Sequence, residues 1–183
     1  MIFPARPVAA VVAALLVLSG CSVAGATTPP GGAGIGDWPT FLPTPSAEGV
    51  AHGSPTNPAM SFAGSPVIIA LGGSELTVDV EGPSYPADTK LGADRVACTF
   101  TVELRSASVE VELRGARFDL LDHSGVVHRL RSIKGTSIPR ILRPGQAVQV
   151  QLMTTVPSGE GFVRFYPSGS TAAAGWDYVA ETD

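Results

Sequence analysis

The chain is short of charge, of aromatic rings, of cysteine and of long apolar runs. Charged residues make up 15% of its 183 residues and aromatics 7%, and it has two cysteines, Cys21 and Cys98. The longest apolar run, Val8 to Leu18, is about half of the roughly 20 residues a membrane-spanning helix needs, which argues against a permanent transmembrane anchor. A basic excess is missing too. The net charge is −4, and removing residues 1–20 takes away one arginine and no acid, so the remainder is more acidic still. That favours solubility and argues against a dedicated nucleic-acid binder. No G-x-S-x-G elbow, phosphate-binding loop or dinucleotide glycine pattern occurs. Gly72 and Gly73 only separate two candidate strands.

What is present begins at the N-terminus. Arg6 supplies a positive start, Val8–Leu18 an apolar core, and Ser19–Gly20 a small pair before Cys21. These are the parts of a secretory signal. Leu18-Ser19-Gly20-Cys21 resembles the bacterial lipoprotein signal, the lipobox. The resemblance implies a diacylglyceryl group on the Cys21 thiol, cleavage before it, and a mature chain anchored to the extracytoplasmic face of the cell membrane. Two acyl chains at about 0.8 kcal/mol per buried CH₂ suffice for stable anchoring. The plain alternative is an ordinary signal with an incidental cysteine. With Cys21 committed to lipid, Cys98 has no partner, so packing must hold the exported fold without a disulfide.

Three regions are expected: a signal peptide at 1–20, a tether at 21–65 and a folded domain at 66–183. Ser22 to Ser65 holds seven prolines and eight glycines, with Asp37 and Glu48 its only charges. It lacks apolar periodicity and is expected to be disordered and dispensable for folding. A flexible chain of this length spans on the order of 35–40 Å. One island, Ile35, Trp38, Phe41 and Leu42, reads as a docking motif or as side chains leaning on the domain or the lipid surface. His52 reads as solvated.

From Pro66 onward the period is two, the mark of strands with one wet and one dry face. Leu76, Val78 and Val80 alternate with Thr77, Asp79 and Glu81. Val96, Cys98, Phe100, Val102 and Leu104 share one face of the longest candidate, with Ala97, Thr99, Thr101 and Glu103 on the other. Further strands are expected around 109–113, at 118–122, 126–133, 148–156, 162–166 and 176–180. His123-Ser124-Gly125 makes a turn, and 134–145 is a loop in which Pro139 and Pro144 bar regular pairing. Eight or nine short strands and no helix predict an all-β, immunoglobulin-like antiparallel β-sandwich.

The segments Phe118–Gly125 (FDLLDHSG) and Leu142–Val148 (LRPGQAV), the strand closing on Val156-Pro157, and Trp176 resemble the telokin-like, immunoglobulin-like domain of actinobacterial and firmicute lipoproteins. The resemblance spans about Pro66 to Glu181 and implies a fold but no catalytic residues or cofactor. The Ala-, Arg- and Gly-rich composition agrees with an actinobacterial chain. Arg105-Ser106-Ala107-Ser108 stands where such domains place an asparagine-containing turn, leaving strand pairing over 105–117 open.

Candidate chemistry is sparse. Asp122, His123 and His128 form the one cluster of potential metal ligands, but a metal site needs three or four convergent ligands, and a turn carboxylate with two surface imidazoles is the simpler reading. No metal or cofactor is expected. Cys98, inward on an apolar face, reads as an inert small core residue rather than a redox thiol. Basic residues are uneven: eight lie between Arg105 and Arg143, against four acids. Arg129 and Arg131, two apart, are expected on one strand face, with Arg140 and Arg143 flanking the following loop. Together they predict an anion-binding patch for anionic lipid head groups or acidic wall polymers, against the plainer reading of solvated strand faces. The expected function is a non-enzymatic binding or scaffolding module of the cell envelope, with a membrane, an envelope protein or an anionic polymer as partner. The alternative is a carrier for a small apolar or lipidic ligand. A hydrolase is disfavoured by the missing nucleophile and base.

Overall fold

The computed structural model describes residues 49–90, 92–106 and 109–179. The signal, Cys21, the tether up to residue 48 and the Ile35–Leu42 island lie outside them. Among the described residues the secondary structure is strand without helix. In chain order the strands are β1 (Ala51–Gly53), β2 (Ala59–Phe62), β3 (Val67–Leu71), β4 (Ser74–Ser84), β5 (Val96–Ser106), β6 (Val111–Glu112) and β7 (Arg117–Asp122). They continue with β8 (Val127–Arg129), β9 (Arg131–Ser132), β10 (Ile141–Leu142), β11 (Ala147–Val156), β12 (Gly161–Tyr166) and β13 (Ala174–Tyr178).

Two sheets form the body. One has the order β1-β3-β4-β5-β11-β9, the other β2-β13-β12-β7-β8, and β10 with β6 makes a small third ribbon. The alternation read in the sequence explains the larger sheet. Val96, Cys98, Phe100, Val102 and Leu104 of β5 are all buried, as are Leu76, Val78 and Val80 of β4 and Val150, Leu152 and Val156 of β11. β5 pairs antiparallel with β11 without a break from Ala147↔Arg105 to Val156↔Val96, and with β4 on its other side. The opposite sheet contributes Phe118, Leu120, Val163, Phe165 and Trp176 to the same core. Phe100 of β5 meets Tyr178 of β13 edge-on with ring centroids 5.3 Å apart, joining the sheets. Trp176 is fully buried and donates its indole N–H to the Ser65 carbonyl at 2.9 Å, the partner a buried indole needs. The immunoglobulin-like β-sandwich is therefore the fold.

Four expectations need correction. The folded region begins at Ala51, not Pro66: β1 lies parallel to β3 and β2 parallel to β13. This Gly- and Pro-rich stretch joins by backbone pairing, which carries no side-chain period, and Ala59 alone enters the core cluster from it, at 8% exposure. Gly53 is needed there because a Cβ would collide with the Ala173 carbonyl and with Ala59. These two edges also make the sandwich mixed rather than wholly antiparallel. The segment 126–133 is two strands, not one: β8 pairs with β7 in the smaller sheet and β9 with β11 in the larger. Leu130, 5% exposed, sits at the crossing with its side chain in the core. Finally, the 134–145 loop contains β10, which pairs with β6 (Leu142↔Val111) and closes the region whose pairing was open. The Ser106 hydroxyl donates to the Val109 carbonyl at 2.6 Å.

Cys98 lies on the buried face of β5, its thiol 3.8 Å from the Thr154 carbonyl on β11. Burial pushes its pKa up to about 11, so the thiolate that reagents attack is scarce. In a chain carrying Cys21→Ala, a thiol reagent should label Cys98 only after denaturation, and Cys98→Ser should cost about 1–3 kcal/mol. Rapid labelling of the native protein would contradict the placement of β5. Shortening the chain to begin at Pro66 removes β1 and β2. At about 0.5–1.5 kcal/mol per ladder hydrogen bond, it should lose roughly 3 kcal/mol or more in urea unfolding relative to a chain beginning at Gly49.

Candidate functional site

The β7–β8 hairpin turns through Asp122, His123, Ser124 and Gly125. Gly125 has φ 83°, a conformation glycine adopts without strain, and its N–H donates to the Asp122 carbonyl at 2.9 Å. The buried Asp122 carboxylate locks the turn. Its Oδ1 accepts the Ser124 amide (2.9 Å), the Ser124 hydroxyl (2.6 Å) and the Val126 amide (2.9 Å), while Oδ2 lies 2.7 Å from His128 Nε2. The Ser124 hydroxyl, then His128 and the two amides, hold its carboxyl well below the ordinary carboxylate range, against the opposing effect of burial. His123 is exposed. Asp122 and His128 are thus brought together, but His123 is not joined to them, and no group of three ligands suited to a metal occurs among the described residues. The Ser124 hydroxyl donates to the Asp122 carboxylate that closes the turn, not to an imidazole.

The basic window is rearranged more deeply. Arg105 pairs with Glu103 at 2.7 Å and Arg114 with Glu112 at 3.5 Å. Arg129, Arg131, Arg140 and Arg143 are exposed, and none is in an ion pair among the described residues. Arg129 and Arg131 do not share a strand face, because the chain changes sheets between them. Arg129 stands opposite Asp119 of β7, and Arg131 opposite Met153 of β11. Arg140 and Arg143 flank β10 on the small ribbon. The expected four-arginine patch therefore divides into two pairs.

The crossing also creates a recess. A cavity of about 500 Å³ opens at this lateral edge, lined by Ala116, Arg117 and Phe118 of the β7 entry, Arg129 to Ser132, Ser137, Ile138 and Leu152. Arg129 and Arg131 flank Leu130 along one wall; Arg140 and Arg143 are not part of it. Arg117 joins them, a residue that the sequence placed only in a count of basic positions. Its guanidinium stacks on the Tyr166 ring, 3.7 Å from the centroid, and its Nη1 is buried without a hydrogen-bond partner. The carboxylate opposite Arg129 is already taken, since Asp119 accepts from Arg164 Nε at 2.7 Å. The one sequence signal for this site is Arg129-Leu130-Arg131, and it is legible only once Leu130 is known to be buried.

Protonation of Asp122 should unlock the hairpin. Its carboxyl pKa is depressed by folding, so its stabilisation is fully present above about pH 4, the unfolded value, and is lost as pH falls through the lower folded value. Asp122→Asn should lower stability at pH 7 and flatten the acid limb of a stability–pH curve below about pH 4. An acid limb as steep as that of the parent would show that other carboxylates carry it.

No family model matches the chain, and no curated protein matches it either. Solved structures do resemble it. A secreted protein from Mycobacterium tuberculosis, MPT63, superposes with a TM-score of 0.51 at 14% identity, covering 66% of this chain and 98% of its own. An uncharacterized β-sandwich protein from Clostridium difficile 630 is a looser likeness, with a TM-score of 0.41, 7% identity, 74% of this chain and 99% of its own covered. At these identities the likeness to the mycobacterial protein shows a shared β-sandwich fold and nothing finer.

Proposed function

We propose that the protein is a lipid-anchored lipoprotein of the cell envelope whose extracytoplasmic β-sandwich is a non-enzymatic binding module. The observation that carries this reading is the Leu18-Ser19-Gly20-Cys21 motif placed directly after an eleven-residue apolar run and ahead of an all-β domain. A diacylglyceryl group on Cys21 holds the chain at the membrane, and the Gly- and Pro-rich segment after it lifts the sandwich into the envelope space. The likeness to a secreted mycobacterial protein agrees with export. A binding role is supported by the arginines around the lateral recess, none of which is in an ion pair among the described residues. A non-catalytic role is supported by the hydrogen bonding of Asp122, whose carboxylate is engaged by the turn it locks and holds no substrate-facing group in readiness. A transport role within the sandwich is disfavoured, since the space between the sheets is filled by Phe100, Phe118, Phe165 and Trp176.

The test is fractionation. Cys21→Ala should move the protein from the membrane fraction into a soluble or uncleaved form, and mass spectrometry of the parent should find acyl chains on residue 21. A variant that remains in the membrane with a processed N-terminus would exclude the lipoprotein reading.

A further inference from the structure

We propose that the outer face of the smaller sheet is a self-association surface that takes a second copy of this chain, face to face about a two-fold axis. Lipid on Cys21 plays no part in it. Along β13, β12 and β7 the side chains of Trp176, Val163, Phe165 and Leu120 enter the core, so the residues between them lie on the opposite, outer face. Register sets these in two rows. The first runs Phe62, Asp177, Phe162, Leu121 and Val127 across all five strands. The second runs Met60, Gly175, Arg164, Asp119 and Arg129.

The open part of this face is apolar. Phe62 is 51% exposed, Val127 52% and Met60 46%, and Phe162 and Leu121 are half-buried between them. The Phe162 ring lies across Gly175 of β13, where a Cβ would collide with it, so no side chain stands up from the sheet at that position. Single exposed apolar side chains are ordinary on a surface, but a row that crosses a whole sheet marks an interaction site.

The charges decide which partner fits. Asp119 and Arg164 neutralise each other in the middle of the face. Asp177 on one half and Arg129 on the other are exposed, and neither is in an ion pair among the described residues. Desolvation beside the apolar row raises the Asp177 carboxyl above its ordinary value, and an arriving cation would offset that cost. One free anion and one free cation on opposite halves, with apolar residues between them, suit an isologous contact, in which each half meets the other half of an identical copy. A two-fold axis beside Phe162 brings Phe62 against Val127 of the second copy and Asp177 within side-chain reach of its Arg129. An anionic lipid surface would leave Asp177 facing like charge. Strands about 4.8 Å apart and about four residues long give the five-stranded face an extent of roughly 24 by 14 Å. That falls short of the about 800 Å² per partner of a standard interface, so the contact is weak and reversible between folded monomers.

The experiment uses residues 21–183 carrying Cys21→Ala, which keeps every described residue and omits the apolar run at 8–18. Sedimentation equilibrium from about 5 to about 500 μM should show monomer and dimer in exchange. Phe62→Thr keeps a strand-forming residue at an exposed site. It should weaken the dimer about tenfold or more while leaving the thermal midpoint of the dilute protein unchanged. Asp177→Arg and Arg129→Glu should each weaken self-association by about tenfold, since each sets like charges across the contact. An equimolar mixture of those two variants should form dimers within about threefold of the parent's affinity, because each then meets its opposite charge in the other. Damage to the fold would not be repaired by mixing. A parent that stays monomeric throughout, a dimer that Phe62→Thr and both charge variants leave unchanged, or a mixture that does not recover overturns the inference. So does a monomeric parent that floats with phosphatidylglycerol vesicles and loses that binding on Phe62→Thr, which makes a lipid surface the occupant of the face.

Discussion

The fold depends on one constraint, the unbroken pairing of β5 between β4 and β11 with every inward side chain apolar. Ten consecutive register pairs to β11 and a second ladder to β4 leave Val96, Cys98, Phe100, Val102 and Leu104 on a single dry face. A register slip of one residue would put Thr99, Thr101 and Glu103 into that core. With no disulfide available to Cys98 among the described residues, this row supplies what a covalent bridge between sheets gives other sandwiches. The Phe100–Tyr178 contact passes it to the opposite sheet, where burial of a large aromatic is worth about 1.5–3 kcal/mol.

The second sheet is attached at its edges by chain that changes partner. At the N-terminal side β1 joins one sheet and β2 the other; at the far side β8 and β9 do the same around Leu130. Each crossing has one residue packed closely inward, Gly53 at the end of β1 in the first and Leu130 between β8 and β9 in the second. The first crossing is closed so tightly that a methyl group would not fit at Gly53. The second is spanned by a larger residue and leaves a recess beside it. At the second edge Arg129 and Arg131 line that recess, and neither is in an ion pair among the described residues.

What was legible in the sequence follows the same division. The core faces of β4, β5 and β11 could be read because side-chain alternation is the direct record of burial on one side. β1 and β2 could not be, because edge strands held mainly by backbone hydrogen bonds leave no period, and Gly and Pro in 51–62 read as linker. The Arg129–Arg131 pairing failed for a related reason. Positions two apart share a face only while the strand keeps one partner, and here the partner changes at Leu130. Arg117 carried no signal at all, since its role comes from Tyr166 on a strand almost fifty positions later.

Polar groups in the described part of this protein fall into two kinds. Asp122 is a turn carboxylate near two histidines, and four donors engage its two oxygens, so its hydrogen-bonding capacity is spent on the hairpin. Asp119 and Arg164 likewise complete each other across β7 and β12. Arg129 and Arg131 at the β8–β9 crossing are exposed and are in no ion pair among the described residues. Arg129 and Arg131 stand beside rather than within the core, whereas Arg117 is held by its stack on Tyr166 of the neighbouring strand β12. Among the described residues, Arg129 and Arg131 are charges beside the recess that no carboxylate of the sandwich meets in an ion pair.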